Sequence, residues 1–333
     1  MRTTIKDVAK AAGVHSSTVS RVINGKTCIS EETAKRVNSA IEKLDYTPNG
    51  LARSLKTKKV QTLAMLIPDI ANPFFAGLAR GAEETANKHG YSVILCNTDD
   101  CREKESNYLR LLAEKCVEGV ILATAKIRDK SIVELGRIDC PYILLSRNIK
   151  GVRENSISID DIAGSYLATE YLIGLGHQKI AHIAGPYNTT AALDRIKGYK
   201  KALQHYGIPF QKDYIGEGDF RNKGGYRVMR SLLELDNLPT AIVTANDLLA
   251  VGAIEAIREK GYDVPLDFSI VGFDDIELAS YLTPPLTTIR QPMAEMGHLA
   301  VVKLLERIEK HISPVNILIK PELVERKSCR GIN

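Results

Sequence analysis

Apolar residues among the first fifty positions recur at the three- and four-residue spacing of short amphipathic helices. In the segment 4–24, TIKDVAKAAGVHSSTVSRVIN, a first helix capped by Thr4 would end at Gly13, and a second helix would follow. The second helix buries its valines and leaves one polar side, which carries Ser16, Ser17, Ser20, Arg21 and Asn24. Such a side fits the major groove of duplex DNA, and the alternative is an ordinary solvated surface.

A third helix is predicted over residues 30–44, because its first turn carries two acids and its inward positions are apolar. After Pro48, the segment NGLARSLK predicts a helix of about two turns that Asn49 can cap. A helix this short does not persist alone in water, so it must fold against another surface.

Beyond residues 57–61 the chain alternates apolar runs with amphipathic helical patterns. The apolar runs predict strands at residues 63–67, 93–96, 120–123, 142–145, 157–159, 180–183, 241–244 and 270–273. The patterns between them predict helices at residues 75–89, 103–115, 163–175 and 248–260. Strands and helices in turn predict parallel sheets covered on both faces, and the length of the region predicts two α/β lobes with ligand sites at the strand ends.

The positive charge of the chain is concentrated in the predicted helical region. Residues 1–61 contain twelve Lys and Arg against five acids, a net charge of +7, whereas the whole chain carries +5 and residues 62–333 therefore carry −2. A basic module beside a near-neutral body is typical of a protein that binds a polyanion.

The remaining composition argues against several other classes. The six cysteines form no C-x-x-C pair and the seven histidines lack metal-ligand spacing, so reduced thiols, no metal and no cofactor are expected. The N-terminus has no apolar signal region, and no apolar run reaches the ~18 residues of a membrane span, which favours a cytoplasmic protein without membrane contact.

The motifs DVAKAAGV, TVSRVING and YTPNGLARSL together resemble the lactose/galactose repressor family of bacterial transcriptional regulators. The resemblance implies an all-α helix-turn-helix domain, then a hinge helix with its linker, then a two-lobed α/β body like that of periplasmic sugar-binding proteins. The implied boundaries are 1–47, 48–61 and 62–329, with lobe one at about 62–160 and 290–319 and lobe two at about 161–288 and 320–329. The body would bind an effector and dimerise.

The resemblance also assigns roles in DNA binding. Base edges would be read by Ser16, Ser17 and Arg21, and phosphates would be contacted by Thr18, Ser20 and Asn24. In the hinge, Asn49 and Arg53 would contact DNA, and Leu55 would wedge into the minor groove, with two hinges paired in a homodimer on a pseudo-palindromic operator. His15 stands where the family usually has Ser before the recognition helix, so Ser16 is expected to cap that helix instead.

Polar and aromatic side chains near strand ends form a candidate effector site. In the segment PDIANPFF, Asn72 can bond hydroxyls while Phe74 and Phe75 stack on a sugar, although a core role for one Phe is equally open. By resemblance the other contacts would be Arg195, Phe220, Asn246, Asp274 and Gln291, although Asn246 could simply cap the helix that follows it. These groups can clamp vicinal hydroxyls.

One pair in this site departs from the pattern of the sugar-binding relatives. The relatives usually carry Asp-Arg at the end of the fourth strand, and this chain carries Ser146 and Arg147. The missing carboxylate would remove an acceptor for hydroxyls, which puts a ribose-like ligand in doubt.

The sequence therefore predicts a DNA-binding transcriptional regulator, a repressor, that acts as a homodimer under the control of a small effector, for which a carbohydrate is the expected class. An enzyme is the rival class, but no phosphate-binding loop, G-x-G-x-x-G after a strand or G-x-S-x-G motif occurs. The alternative within the family is a global carbon-metabolism regulator controlled by a partner protein on lobe one, for which the charged helix at residues 303–310 is a possible docking face.

Overall fold

The computed structural model divides the chain into two units, Met1–Val60 and Gln61–Asn333. It describes residues 3–23, 29–46, 60–114, 117–127, 135, 140–149, 154–309 and 315–332. Four residues predicted to contact DNA, together with most of the predicted hinge, lie outside the described ranges: Asn24, Asn49, Arg53 and Leu55. Within those ranges, no helix is long and apolar enough to cross a membrane.

The N-terminal unit consists of the predicted helices α1 (Ile5–Ala12), α2 (Ser16–Ile23) and α3 (Glu31–Lys43). Thr4 starts α1 because its backbone N–H and its hydroxyl both donate to the Asp7 carboxylate, at 2.9 Å and 2.6 Å. Gly13 ends α1 in the left-handed conformation, with φ 64°. One apolar stripe from each helix meets in a small core, of which Val8, Val19 and Val37 are fully buried.

The second unit alternates strands and helices as predicted, with several additional elements. Its strands are β1 (Thr62–Ile67), β2 (Ser92–Asn97), β3 (Gly119–Leu122), β4 (Tyr142–Leu145), β5 (Ser156–Ile159), β6 (Ile180–Ala184), β7 (Ile215–Glu217), β8 (Ala241–Thr244), β9 (Ser269–Asp274), β10 (Thr287–Arg290), β11 (Asn316–Ile319) and β12 (Glu322–Val324). Its helices are α4 (Pro73–Lys88), α5 (Arg102–Glu114), α6 (Asp161–Gly174), α7 (Thr190–His205), α8 (Asn222–Leu232), α9 (Asp247–Glu259), α10 (Glu277–Tyr281) and α11 (Met293–Ile308), with a 3₁₀ turn at Lys212–Tyr214.

The described strands form two six-stranded sheets, one in each lobe. The order is β11-β5-β4-β3-β1-β2 in the first lobe and β12-β10-β9-β8-β6-β7 in the second. The strand pairs are parallel except for β10 with β12, which is antiparallel. Parallel strands bring their carboxyl ends to one edge of each sheet, which is where the candidate site residues follow.

The chain passes between the lobes three times, after β5, after β10 and after β11. The second passage follows Arg290, which pairs with Asp274 in the second sheet, two residues beyond the predicted end of lobe two at residue 288. Between the second and third passages, α11 packs against α4 in the first lobe. The two helices touch at Gly81, where an added Cβ would lie 2.1 Å from the Ala294 carbonyl oxygen.

Candidate functional site

In the first lobe, Asn72 places two aromatic rings at the carboxyl end of β1. Its Oδ1 accepts the Phe74 N–H at 3.0 Å, which starts α4, and Pro73 fills the first helical position. The rings of Phe74 and Phe75 meet edge to face, with centroids 5.1 Å apart and planes at 75°. Both rings are buried and both line the cleft, so neither has a purely core role.

The second contribution of the first lobe is Arg147, which follows β4. Its guanidinium lies 5.6 Å from the Phe75 ring centroid and 5.7 Å from that of Phe220 in the other lobe. It also donates to Asp100 Oδ1 at 2.8 Å. Ser146 precedes it in the left-handed region, with φ 65°, at the point where the chain leaves the strand. Asp100, which the sequence did not indicate, thus gives Arg147 a carboxylate partner, but it does not line the cavity and does not replace the hydroxyl acceptor that is missing at Ser146.

In the second lobe, Arg195 of α7 is held rigidly by its surroundings. Its Nε donates to Asp161 Oδ1 at 2.7 Å, and its NH1 group donates to the Ala245 carbonyl. The guanidinium lies 3.7 Å from the centroid of the Phe273 ring, and its NH1 atom is 3.8 Å from Asp274 Oδ1. One buried cation therefore serves two buried carboxylates, and the sequence did not identify Asp161 as part of the site.

Asp274 ends β9 and faces both Arg195 and the crossover segment. It is 3% exposed, and Gln291 Nε2 donates to its Oδ1 at 2.6 Å. Burial raises the pKa of Asp274 to about 7, although Arg195 and the Gln291 amide both act to lower it. Burial likewise raises the pKa of Asp161 to about 6, against the lowering effect of Arg195. Desolvation therefore outweighs ion pairing at both carboxyl groups.

Phe220 and Asn246 complete the second wall of the cleft. Phe220 has φ 61°, a left-handed backbone that aims its ring across the cleft, and its carbonyl accepts a bond from Asn246 Nδ2 at 3.0 Å. The Oδ1 atom of Asn246 accepts the Leu249 N–H at 3.0 Å, so Asn246 does cap α9. Its amide is thus used within the protein while its side chain lines the cleft.

The cavity between the lobes unites the residues that were predicted separately. Its volume is about 310 Å³, counting the part open to solvent. Nine of its ten lining residues were predicted, and the tenth is Ala191: Asn72, Phe74, Phe75, Ser146, Arg147, Ala191, Arg195, Phe220, Asn246 and Asp274. Gln291 joins the site through its bond to Asp274.

In the N-terminal unit, α2 presents its polar side as predicted, but its cap differs from the expectation. Ser17 and Arg21 are exposed, whereas Val19 is fully buried. The helix begins at Ser16, and the residue before it, His15, accepts the Ser17 N–H on Nδ1 at 3.3 Å. His15 therefore caps α2, and the expectation that Ser16 does so is wrong, because an imidazole nitrogen reaches the second N–H of the helix.

Comparison with known proteins identifies the family. The model of bacterial regulatory proteins of the lacI family matches residues 4–49, and that of the periplasmic binding protein-like domain matches residues 169–329. The HTH-type transcriptional repressor PurR of Glaesserella parasuis serovar 5 is 39% identical over 337 residues, which cover 99% of both chains. This chain belongs to the lacI family of bacterial regulatory proteins. It is a transcriptional repressor with a DNA-binding domain and an effector-binding domain.

Solved structures agree with this assignment and with the predicted fold class. The lac repressor dimer bound to operator and the anti-inducer ONPF is 31% identical, with a TM-score of 0.90, over 99% of this chain and 100% of that one. The complex of the transcriptional regulator CelR with cellobiose is 32% identical, with a TM-score of 0.77, over 98% of this chain and 100% of that one. These relatives are named as repressors or regulators of transcription, and none is named as an enzyme, which argues against the rival class.

Proposed function

We propose that this repressor senses a small carbohydrate in the cleft between its lobes and that the carbohydrate sets its affinity for operator DNA. The observation that carries the proposal is the lining of the cavity. Aromatic rings from both lobes line it together with the Arg195 and Asp274 pair. Aromatic faces suit the C–H faces of a sugar ring, and a carboxylate with a guanidinium suits adjacent hydroxyls. A cellobiose complex within the family supports the same ligand class.

The residues proposed to bond the ligand differ in which of their polar atoms are not already bonded within the protein. Asp274 and Arg195 are the main hydroxyl partners, and Asn72 offers its amide N–H groups because its Oδ1 is already bonded. Beside Asp274, the Gln291 Oε1 atom is buried without a hydrogen-bond partner among the described residues, which makes it an acceptor for a ligand hydroxyl. Asn246 is proposed to contact the ligand mainly by packing, since its Nδ2 and Oδ1 atoms already bond Phe220 and Leu249.

The pairing of Arg147 with Asp100 leaves the doubt about a ribose-like ligand in place, because it adds no carboxylate to the cavity lining. Because Asp100 bonds the Arg147 guanidinium, the cleft retains a charge-paired arginine without a carboxylate at position 146. The guanidinium also lies near the Phe75 and Phe220 rings, which narrows the space available for stacking. We therefore expect a compact ligand whose C–H face covers only part of each aromatic ring.

On the DNA side, we propose that α2 enters the major groove of an operator half-site. The residues of α2 proposed to contact DNA are Ser16, Ser17, Thr18, Ser20 and Arg21. The other proposed contacts are Asn24, Asn49, Arg53 and Leu55. The proposal keeps the division into a DNA-binding domain at 1–47, a hinge at 48–61 and an effector-binding body at 62–329.

The proposed active species is a homodimer on a pseudo-palindromic operator. Several apolar side chains are exposed on the edge strand β2 and on the helices α5 and α10, as expected for surfaces that a second copy covers: Ile94, Leu95, Leu111, Leu278 and Tyr281. The dimeric state of the lac repressor relative supports the same assembly.

The partner-controlled alternative finds less support. In α11, Lys303 bonds Glu306 within the same helix, at 2.9 Å and 3.0 Å to the two carboxylate oxygens. Such i,i+3 pairs are typical of a solvated helix face. Copurification of a protein partner whose loss abolishes regulation would favour this alternative.

A thermal-shift screen of the full chain tests the proposal about the effector. The probes are monosaccharides, disaccharides including cellobiose, sugar phosphates and, as the competing class, nucleobases. A ligand at about one hundred times its Kd stabilises the native state by about 2.7 kcal/mol, which raises the melting temperature of the body by several degrees. A shift with a sugar that Asp274→Ala removes would support the proposal, and a shift with nucleobases alone would contradict it.

Selection of operator sequences from a random DNA pool tests the DNA-binding half. We expect a pseudo-palindromic site whose binding shows a steep dependence on protein concentration, and Arg21→Ala should relax the sequence preference at one position of each half-site. Selection of a sequence without twofold symmetry would contradict the homodimer.

A further inference from the structure

Several hydrogen bonds join the two lobes across the cleft independently of any ligand. From the first lobe, the Ile127 N–H donates to the Asn188 carbonyl at 2.9 Å, and the Asn148 N–H donates to Thr190 Oγ1 at 3.0 Å. The Thr190 hydroxyl in turn donates to the Asn148 carbonyl at 3.2 Å. These bonds exist only while the lobes are closed on each other, so the two amide hydrogens report directly on closure.

An ion pair spans the cleft beside these bonds. Asp69 follows β1 in the first lobe, and Arg221 precedes α8 in the second; the Nε and NH2 atoms of Arg221 lie 3.0 Å and 2.9 Å from Asp69 Oδ2. Each partner is also fixed by its own loop. Asp69 Oδ1 accepts the Ala71 N–H at 3.0 Å, and the Arg221 N–H donates to Asp219 Oδ1 at 2.9 Å. The Asp69 carboxylate and the Arg221 backbone are therefore positioned by bonds within their own lobes.

The position of Arg221 in the sequence links this ion pair to the ligand cavity. Arg221 directly follows Phe220, whose left-handed backbone and carbonyl bond to Asn246 set the direction of the ring. A guanidinium fixed on the opposite lobe restrains the next residue, and so the ring that lines the cleft, in the closed arrangement. The side chains of Asp69 and Arg221 are 25% and 43% exposed, so they lie at the rim rather than in the cavity.

We propose that Asp69 and Arg221 form an interlobe latch that closes the effector cleft and holds Phe220 over it. Both are positioning residues, and neither needs to touch the effector. The proposal rests on the proposed function of the cleft as the effector site. In this arrangement the closed state has stabilising contacts of its own before ligand binds, and a ligand shifts the equilibrium only by what it adds to them.

Further acidic residues surround the latch at the rim of the cleft. Asp100 and Asp219 also lie within electrostatic reach of Arg221, so the guanidinium faces acids from both lobes. Replacing Arg221 with an uncharged residue would remove the cation that faces Asp69, Asp100 and Asp219. Because the pair is partly exposed, added salt should weaken it.

Amide hydrogen exchange of the full-length protein without ligand tests the latch. In Arg221→Gln and in Asp69→Asn, which keeps an acceptor for the Ala71 N–H, exchange at Ile127 and Asn148 should rise together. We expect about a two- to fivefold rise at low salt, the range that partly exposed ion pairs produce. Exchange at Leu144, whose N–H bonds Asn155 within the first lobe, should not change. Raising the salt concentration should reproduce the effect in the unmutated protein.

The double variant separates a latch from two independent local effects. If the pair acts as a unit, Asp69→Asn combined with Arg221→Gln should raise exchange no further than either single change does. Arg230→Gln is the matched control, because Arg230 pairs with Glu259 at 3.1 Å entirely within the second lobe and is similarly exposed. Unchanged exchange at Ile127 and Asn148 in the single variants, or an additive rise in the double variant, would overturn the latch. Since no effector is added, either result leaves the thermal-shift test of the cleft independent.

Discussion

Replacing Arg195 with Met should destabilise the body of the protein in a strongly pH-dependent way. The change keeps the length of the side chain but removes the cation that serves Asp161 and Asp274. Folding raises the pKa values of these carboxyls to about 6 and about 7, so their burial costs least at low pH and the cost grows as pH rises to those values. Without Arg195, both carboxyls should stay protonated at still higher pH.

The magnitude follows from the two pKa values. At pH 5.5 both carboxyls are already largely protonated in the folded protein, so the variant loses mainly the two hydrogen bonds of Arg195, to Asp161 and to the Ala245 carbonyl, about 2 kcal/mol. At pH 8 the variant must keep protonated two groups that the unmutated protein ionises, which costs about 1.4 kcal/mol per pH unit above each pKa. The sum over about two units for Asp161 and one for Asp274 is about 4 kcal/mol.

Urea unfolding followed by far-ultraviolet circular dichroism at pH 5.5 and pH 8 measures this difference. The control is Lys197→Met on the same helix, because Lys197 pairs with Asp194 on the surface and should change the free energy of unfolding by at most about 0.5 kcal/mol at either pH. An equal loss at both pH values in Arg195→Met would refute the reasoning that the cation keeps these carboxyls ionised.

Three further outcomes are expected. His182 is fully buried and burial lowers its pKa to about 3, so the free energy of unfolding falls as pH drops below about 6.5. His182→Phe should remove that loss and unfold in urea at pH 4.5 with a free energy about 2–3 kcal/mol higher than that of the unmutated protein, relative to the difference at neutral pH. No such gain would contradict the prediction. Gly81→Ala should lower the free energy of unfolding by about 1–3 kcal/mol because its Cβ would meet the Ala294 carbonyl. Gly174→Ala, where an added Cβ has no atom within 4 Å, should raise it slightly, so equal melting temperatures of the two variants would contradict the prediction. Leu55→Ala should weaken operator binding by a few kcal/mol in a mobility-shift titration, and unchanged affinity would exclude the wedge.

The sequence predicted the strands and helices whose burial produces a recognisable pattern of apolar residues along the chain. The central strands β1, β3, β8 and β9 are buried along most of their length and are continuous apolar runs. Four strands at or near the sheet ends were missed, namely β7, β10, β11 and β12, although the edge strand β2 was predicted. β7 and β12 have three residues each and are only partly buried, so their place in the sheet is decided by pairing with distant strands, which local pattern does not reveal.

The same limit applies to the candidate site. Asn72, Phe74 and Phe75 could be predicted because they follow a recognisable strand, and the resemblance to the family supplied Asp274 and the other predicted lining residues. Asp100 and Asp161 could not, since each acts by bonding an arginine that lies 47 or 34 positions away. His15 was misjudged because a poor average capping propensity does not exclude an imidazole nitrogen that happens to point at the helix.

The three passages of the chain between the lobes have a practical consequence for cutting or rearranging the gene. Neither lobe is a continuous stretch of sequence, and the first and third passages are joined by the Asp160 N–H bond to the Ile319 carbonyl at 2.9 Å. A protease that nicks one passage leaves the halves tethered by the other two. Any attempt to express one lobe alone would need a circular permutation or a new splice between fragments, because a simple truncation would remove β11 from the first sheet or β12 from the second and leave an uncovered edge.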